Sequence, residues 1–99
     1  MRKYTIDEIR EKAVPIAKKY GVGKLALFGS YARGDSHAGS DIDFVIELGA
    51  IQGLEFFGFA LDLEDEFKIR VDIVTYASAM NSIFLRNAFS NEVILYESG

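Results

Sequence analysis

Apolar and polar positions divide the chain into alternating helix-like and strand-like segments. Thr5-Ile6-Asp7-Glu8 has the capping-box pattern, a hydroxyl that can accept an N–H three residues on and a carboxylate that can reach back, so a helix is predicted to start there. From that point Ile6, Ile9, Ala13, Ile16, Ala17 and Tyr20 recur near helical spacing and give the helix one apolar side. Pro15 removes an N–H from the middle of this pattern and predicts a kink or a restart. Gly21 predicts the end, with Lys18 and Lys19 in the last turn favouring its negative terminus. Residues 25–28 read as a buried strand, 41–48 as a second strand, 49–53 as a turn and 54–67 as a second long helix. Residues 69–75 read as a third strand, those from about 77 to 89 as a last helix, and 93–96 as a short closing strand. The predicted fold is α/β (α+β), a short mixed sheet flanked by helices, with residues 1–99 as a single domain and no repeat or linker.

Two stretches carry candidate chemistry. In Gly29-Ser30-Tyr31-Ala32-Arg33-Gly34 a glycine turn follows a strand and opens a helix. Free N–H groups at a helix start attract anions, and Ser30 adds a hydroxyl, so phosphate oxygens fit there. The stretch lacks the lysine of a Walker loop, and read alone it is also an ordinary strand–helix connection. After a polar loop, Ser40-Asp41-Ile42-Asp43 opens the second strand. Strand alternation puts Asp41 and Asp43 on one face and Ile42, Phe44 and Ile46 on the other. Their Cα atoms would lie ~6.6 Å apart at a rise of ~3.3 Å per residue. Carboxylates that close repel unless a cation sits between them, and hard oxygen ligands suit Mg²⁺, or Mn²⁺ in its place. The alternative is a solvated acidic strand end.

Asp72, inside the β-branched run Val71-Asp72-Ile73-Val74, adds a third acid. An Asp within a central strand is costly to bury without a partner. If that strand neighbours the Asp41–Asp43 strand, three carboxylates converge, enough to hold two divalent ions.

These motifs together, Gly29-Ser30-Tyr31-Ala32-Arg33-Gly34, then Ser40-Asp41-Ile42-Asp43, then Val71-Asp72-Ile73-Val74, resemble the minimal nucleotidyltransferases (MNT domains) of the DNA-polymerase-β-like superfamily. The likeness runs through most of the chain, and no matched position departs from the pattern. It implies that Asp41, Asp43 and Asp72 form the catalytic, metal-binding set, with two Mg²⁺ ions, and that Gly29 and Ser30 hold the triphosphate of ATP. It assigns Arg33 to the nucleotide site as the motif arginine. It further implies an antitoxin paired with a HEPN-family RNase toxin, some members transferring AMP from ATP to a tyrosine of that toxin. In the expected reaction an acceptor hydroxyl attacks the α-phosphorus and pyrophosphate leaves, with Asp72 or a metal-bound water as proton acceptor. Two alternatives stand beside this: a non-catalytic antitoxin that masks its toxin by contact, and a small-molecule nucleotidyltransferase acting, for example, on an aminoglycoside.

Composition narrows the setting. The 99 residues are 49% hydrophobic, enough for one core, though too few for the template-binding parts of a polymerase. A net charge of −4 argues against extended nucleic-acid binding, which needs a basic face, but not against a nucleotide whose metal brings the positive charge. Charges interrupt every apolar run, so no membrane span is expected. Without cysteine or an apolar leader, a cytoplasmic setting is expected.

His37, the only histidine, reads as a solvated loop residue. Arg70 shares a strand face with Asp72 and could meet either a phosphate or an acid. Asp62, Glu64, Asp65 and Glu66 read as a solvated helix end. The second helix, with Phe56, Phe57 and Phe59, and the last helix, with Ile83, Phe84 and Phe89, are apolar over more than one stripe. That excess is expected either to be core or to dock a toxin or a second copy of the chain, with Phe56 and Phe59 as candidate docking positions.

Overall fold

The first helix begins where its cap places it. In the computed structural model, which describes residues 3–37, 39–79, 83 and 91–98, the Thr5 side chain accepts the Glu8 N–H at 3.0 Å and the Glu8 carboxylate accepts the Thr5 N–H at 2.9 Å. This helix, α1 (Ile6–Tyr20), runs through Pro15 without restarting. Pro15 lies on the exposed side, so the Glu11 carbonyl that loses its N–H partner is left to water rather than to the core. Gly21 closes α1 in the left-handed region, φ 76°, donating to the Ala17 and Lys18 carbonyls.

The chain continues as β1 (Lys24–Phe28), α2 (Gly29–Arg33), β2 (Ile42–Glu47), α3 (Glu55–Phe67), β3 (Val71–Thr75), α4 (Tyr76–Ala79) and β4 (Val93–Glu97). Among the described residues the four strands form one mixed sheet in the order β3-β2-β1-β4. β1 pairs antiparallel with β2 and β4, and β2 pairs parallel with β3. The expected short mixed sheet with flanking helices is what the chain forms. Among the boundaries that differ, β2 starts at Ile42, leaving Asp41 just before it, and β3 starts at Val71, leaving Arg70 just before it. Of the last helix read over residues 77–89, Tyr76–Ala79 is helical and Ile83 is exposed; residues 80–82 and 84–90 lie outside the described residues.

Alternation divides the sheet into two faces. Leu25, Leu27, Ile42, Phe44, Ile46, Val71 and Leu95 are buried against Ile9, Ala13 and Ala17 of α1 and Phe59, Leu63 and Phe67 of α3. The opposite face holds a smaller cluster of Ala26, Phe28 and Val45, with Val74 and Tyr76 packed on it. Asp43 and Asp72 belong to this second face, at the end of the sheet where β1 finishes and β2 and β3 begin. No helix among the described residues is long and apolar enough to cross a membrane.

The aromatic excess of α3 separates by face. Phe59 is fully buried and Phe56 packs against the core, so neither is the free docking position that the sequence alone offered. The exposed apolar residues of this segment are Leu54 (83%), Phe57 (63%) and Leu61 (64%), one helical stripe turned from the sheet. Asp62 is not merely solvated: it accepts from the Tyr20 hydroxyl at 2.7 Å and pairs with Lys19 at 3.4 Å, tying α3 to α1.

This division predicts unequal stability effects. Phe59→Ala should cost about 3–5 kcal/mol. Phe57→Ser should stay within about 0.5 kcal/mol of the parent. Urea unfolding of the two variants checks this, and equal losses would contradict the assignment of faces.

Candidate active site

The site is built at the ends of three strands. β1 finishes at Phe28, which lies opposite Asp43 in the antiparallel register, and the chain then turns at Gly29 with φ 73°. A Cβ on Gly29 would overlap Oδ2 of Asp43 and lie 3.1 Å from its Cγ. The missing side chain therefore makes room for the Asp43 carboxylate. α2 follows without a side-chain cap at its start. Tyr31, buried at its centre, fixes this short helix to the core, its hydroxyl lying 3.5 Å from the Tyr4 N–H as acceptor. Ser30, half-buried, sits in the first turn of α2, beside the Gly29–Asp43 contact.

The three acids meet through the β2–β3 ladder. Parallel pairing sets Asp43 opposite Asp72 and Ile42 opposite Val71. Just outside the ladder, the Ile42 N–H donates to the Arg70 carbonyl at 3.1 Å, which brings Arg70 alongside Asp41. β3 is thus an edge strand among the described residues rather than a central one, and Asp72 is half-exposed. Arg70, open between the two sequence readings, pairs with acids: its Nε lies 3.6 Å from Asp72 and 3.9 Å from Asp41. Strand alternation had placed it on the Asp72 face; its second contact came from a register the sequence does not contain.

Electrostatics single out Asp43. Burial pushes its carboxyl up to about 6, and the charges of Asp72 and Asp41 add to the rise, while the Arg33 guanidinium opposes it. A hydrogen bond with Asp72 acts in the same upward direction. Such a group is short of positive charge. Its oxygens, with those of Asp41 and Asp72, are hard donors of the kind Mg²⁺ and Mn²⁺ take, so the residues fit a divalent ion. They are not drawn in to ligand spacing: among the described residues no three His, Cys, Asp or Glu side chains form a ready ion site.

The surroundings are less specialised. Arg33, at the end of α2, bonds Asp35 at 3.2 Å. His37 is exposed, and its N–H and C=O close a tight loop with Ser40. At the far end of the same sheet face the Tyr76 hydroxyl donates to Glu92, which also pairs with Lys24 at 3.7 Å. A pocket of about 430 Å³ lies away from the acids, between the start of α1 and α2, lined by Lys3, Tyr4, Tyr31 and Ser36. The carboxylate corner is open surface, and the chemistry follows the acids rather than that pocket.

A carboxyl whose native value, about 6, exceeds its ordinary 3.8 binds more protons folded than unfolded across that interval. Stability of the metal-free protein should therefore fall as pH rises from about 4 to about 6 and stay lower above it. Asp43→Asn should remove this slope and stabilise the metal-free chain at pH 7 by about 1–2 kcal/mol, after allowing for the screening of a half-exposed group. Thermal melts in EDTA across this range test it; parallel pH profiles for parent and variant would contradict it.

Comparison with known proteins agrees with this geometry. Residues 11–99 match the family described as "Polymerase beta, Nucleotidyltransferase". A protein of Methanocaldococcus jannaschii that bears the name of a protein adenylyltransferase is 37% identical over 92 residues, spanning 90% of this chain and 95% of that protein. The fold is shared with a chain in a crystal structure of a toxin–antitoxin with AMP-PNP, at a TM-score of 0.73 and 24% identity, covering 90% of this chain and 73% of that one. It is shared also with a structure of a tri-AMPylated Shewanella oneidensis HEPN toxin in complex with MNT antitoxin, at a TM-score of 0.65 and 20% identity, covering 91% and 71%. The resemblance read from the motifs holds: the chain belongs to the polymerase-beta nucleotidyltransferase family and is a nucleotidyltransferase.

Proposed function

We propose that residues 1–99 form one catalytic domain that transfers AMP from ATP to a hydroxyl of a protein partner, with Mg²⁺ as cofactor, and that this partner is a HEPN-type toxin for which the chain is the antitoxin. The observation that carries the reading is the pairing of Asp43 with Asp72, with Asp41 beside them and the Gly29 turn packed on Asp43. The name of the M. jannaschii relative supports the protein acceptor, and the neighbours solved with AMP-PNP and with an AMPylated HEPN toxin support the donor and the partner. ATP as donor fits a cytoplasmic setting.

Asp41, Asp43 and Asp72 would hold two Mg²⁺ ions, which when bound neutralise the triphosphate and make the acceptor hydroxyl more acidic. The N–H groups after Gly29 and the Ser30 hydroxyl would grip phosphate oxygens, with the Arg33 guanidinium near enough to Asp43 to add positive charge. The acceptor oxygen attacks the α-phosphorus, its proton passes to a carboxylate oxygen of Asp72, and the bond to the bridging oxygen of pyrophosphate breaks. Positioning and charge stabilisation supply the acceleration. The exposed stripe of Leu54, Phe57 and Leu61 favours a second reading, an antitoxin that acts by contact alone.

Transfer of radiolabel from α-labelled ATP to the protein encoded beside this chain separates the two. Under the catalytic reading label appears on that protein only with Mg²⁺, and Asp41→Asn or Asp43→Asn lowers the rate more than about a hundredfold, the scale of losing one charge-stabilising group. Ser30→Ala should weaken ATP binding by about 1 kcal/mol, one hydrogen bond. Transfer within a few-fold of the parent in either Asp variant would refute the metal assignment; no transfer together with tight complex formation would favour masking.

A further inference from the structure

Arg70 stands where the backbone fixes it. Its carbonyl accepts the Ile42 N–H at 3.1 Å, so it lies beside Asp41, and it precedes Asp72 by two residues on the same strand edge. Its guanidinium Nε reaches Asp72 at 3.6 Å and Asp41 at 3.9 Å, the two acids that flank Asp43. The pairing is solvent-accessible, with Arg70 72% exposed, so it can open at little cost.

We propose that Arg70 is a positioning residue that serves as the built-in counter-ion of the metal-free site. It offsets the charge of Asp41 and Asp72, and releases them to a divalent ion when a nucleoside triphosphate arrives to receive its guanidinium. Metal loading is thereby coupled to nucleotide binding. This rests on the reading that Asp41, Asp43 and Asp72 are the metal ligands. A guanidinium still touching oxygens that ligate an ion would lie on the order of 6 Å from that ion. One positive charge repelling two at that distance in water is worth about tenfold in affinity. Salt screening reduces this to about threefold. A phosphate group relieves the repulsion, since guanidinium and phosphate form paired hydrogen bonds.

The test is Mn²⁺ binding to the full chain, followed by the electron-paramagnetic-resonance signal of the free ion, with and without AMP-PNP. Without nucleotide, Arg70→Gln should bind Mn²⁺ about threefold more tightly than the parent, and Arg70→Lys, which keeps the charge, should bind it as the parent does. With AMP-PNP present the advantage of Arg70→Gln should vanish or reverse. Circular dichroism confirms that the exposed substitution leaves the fold intact. Saturable Mn²⁺ binding with equal Kd in the parent and Arg70→Gln, lost in Asp43→Asn, would overturn the role of Arg70 and leave the metal reading standing. Absence of saturable Mn²⁺ binding in every variant, with AMP-PNP or without it, would overturn both.

Discussion

The parallel pairing of β2 with β3 is the constraint on which the rest of the structure depends. Neighbouring strands lie about 4.8 Å apart, so a register that sets Asp43 opposite Asp72 forces two carboxylates together. The charges of the two acids oppose that arrangement. It is held by the other face, where Ile42, Phe44 and Ile46 are fully buried against the helices. A slip of one residue would turn those three outward and drive Asp43 into the core. The hydrophobic pattern of one face thus enforces the charge constellation of the other.

Around this pair the chain arranges partial compensation. Gly29 gives up its side chain so that the Asp43 carboxylate can lie against the turn. Arg33 offsets part of the upward push on Asp43, and Arg70 spans Asp41 and Asp72. The compensation is incomplete, since Asp43 still titrates near 6. Under the proposed function, a cation and a triphosphate would meet that unmet demand for positive charge together. The same face carries Ala26, Val45 and Val74, and the contacts of Glu92 with Lys24 and Tyr76.

Much of this was legible in the sequence because local rules set it. The capping box at Thr5, the stop at Gly21 and the alternation of Ile42, Phe44 and Ile46 against Asp43 follow from periodicity and cap chemistry, and each stands where it was expected. The adjacency of Asp72 to Asp43 was conditional, because strand order is a tertiary fact that no local pattern encodes. The contact of Gly29 with Asp43 is not legible locally for the same reason: its neighbour is fourteen residues on and meets it only after β1 and β2 pair. Of the kink or restart that Pro15 predicts, the restart does not occur, because tertiary packing of Ile9, Ala13 and Ala17 holds α1 together across it. In α3, the position of the sheet decides that Phe59 is core and Phe57 is not; composition alone leaves both open.

The central claim is that these three acids form one divalent-metal site for a nucleoside triphosphate. Crystals grown with Mn²⁺ and AMP-PNP, measured at the manganese absorption edge, address it directly. The account predicts anomalous peaks ligated by Asp41, Asp43 and Asp72, with the triphosphate running to Ser30 and the N–H groups after Gly29. A bound nucleotide whose manganese lies elsewhere, with Asp43 and Asp72 free of metal, would contradict it.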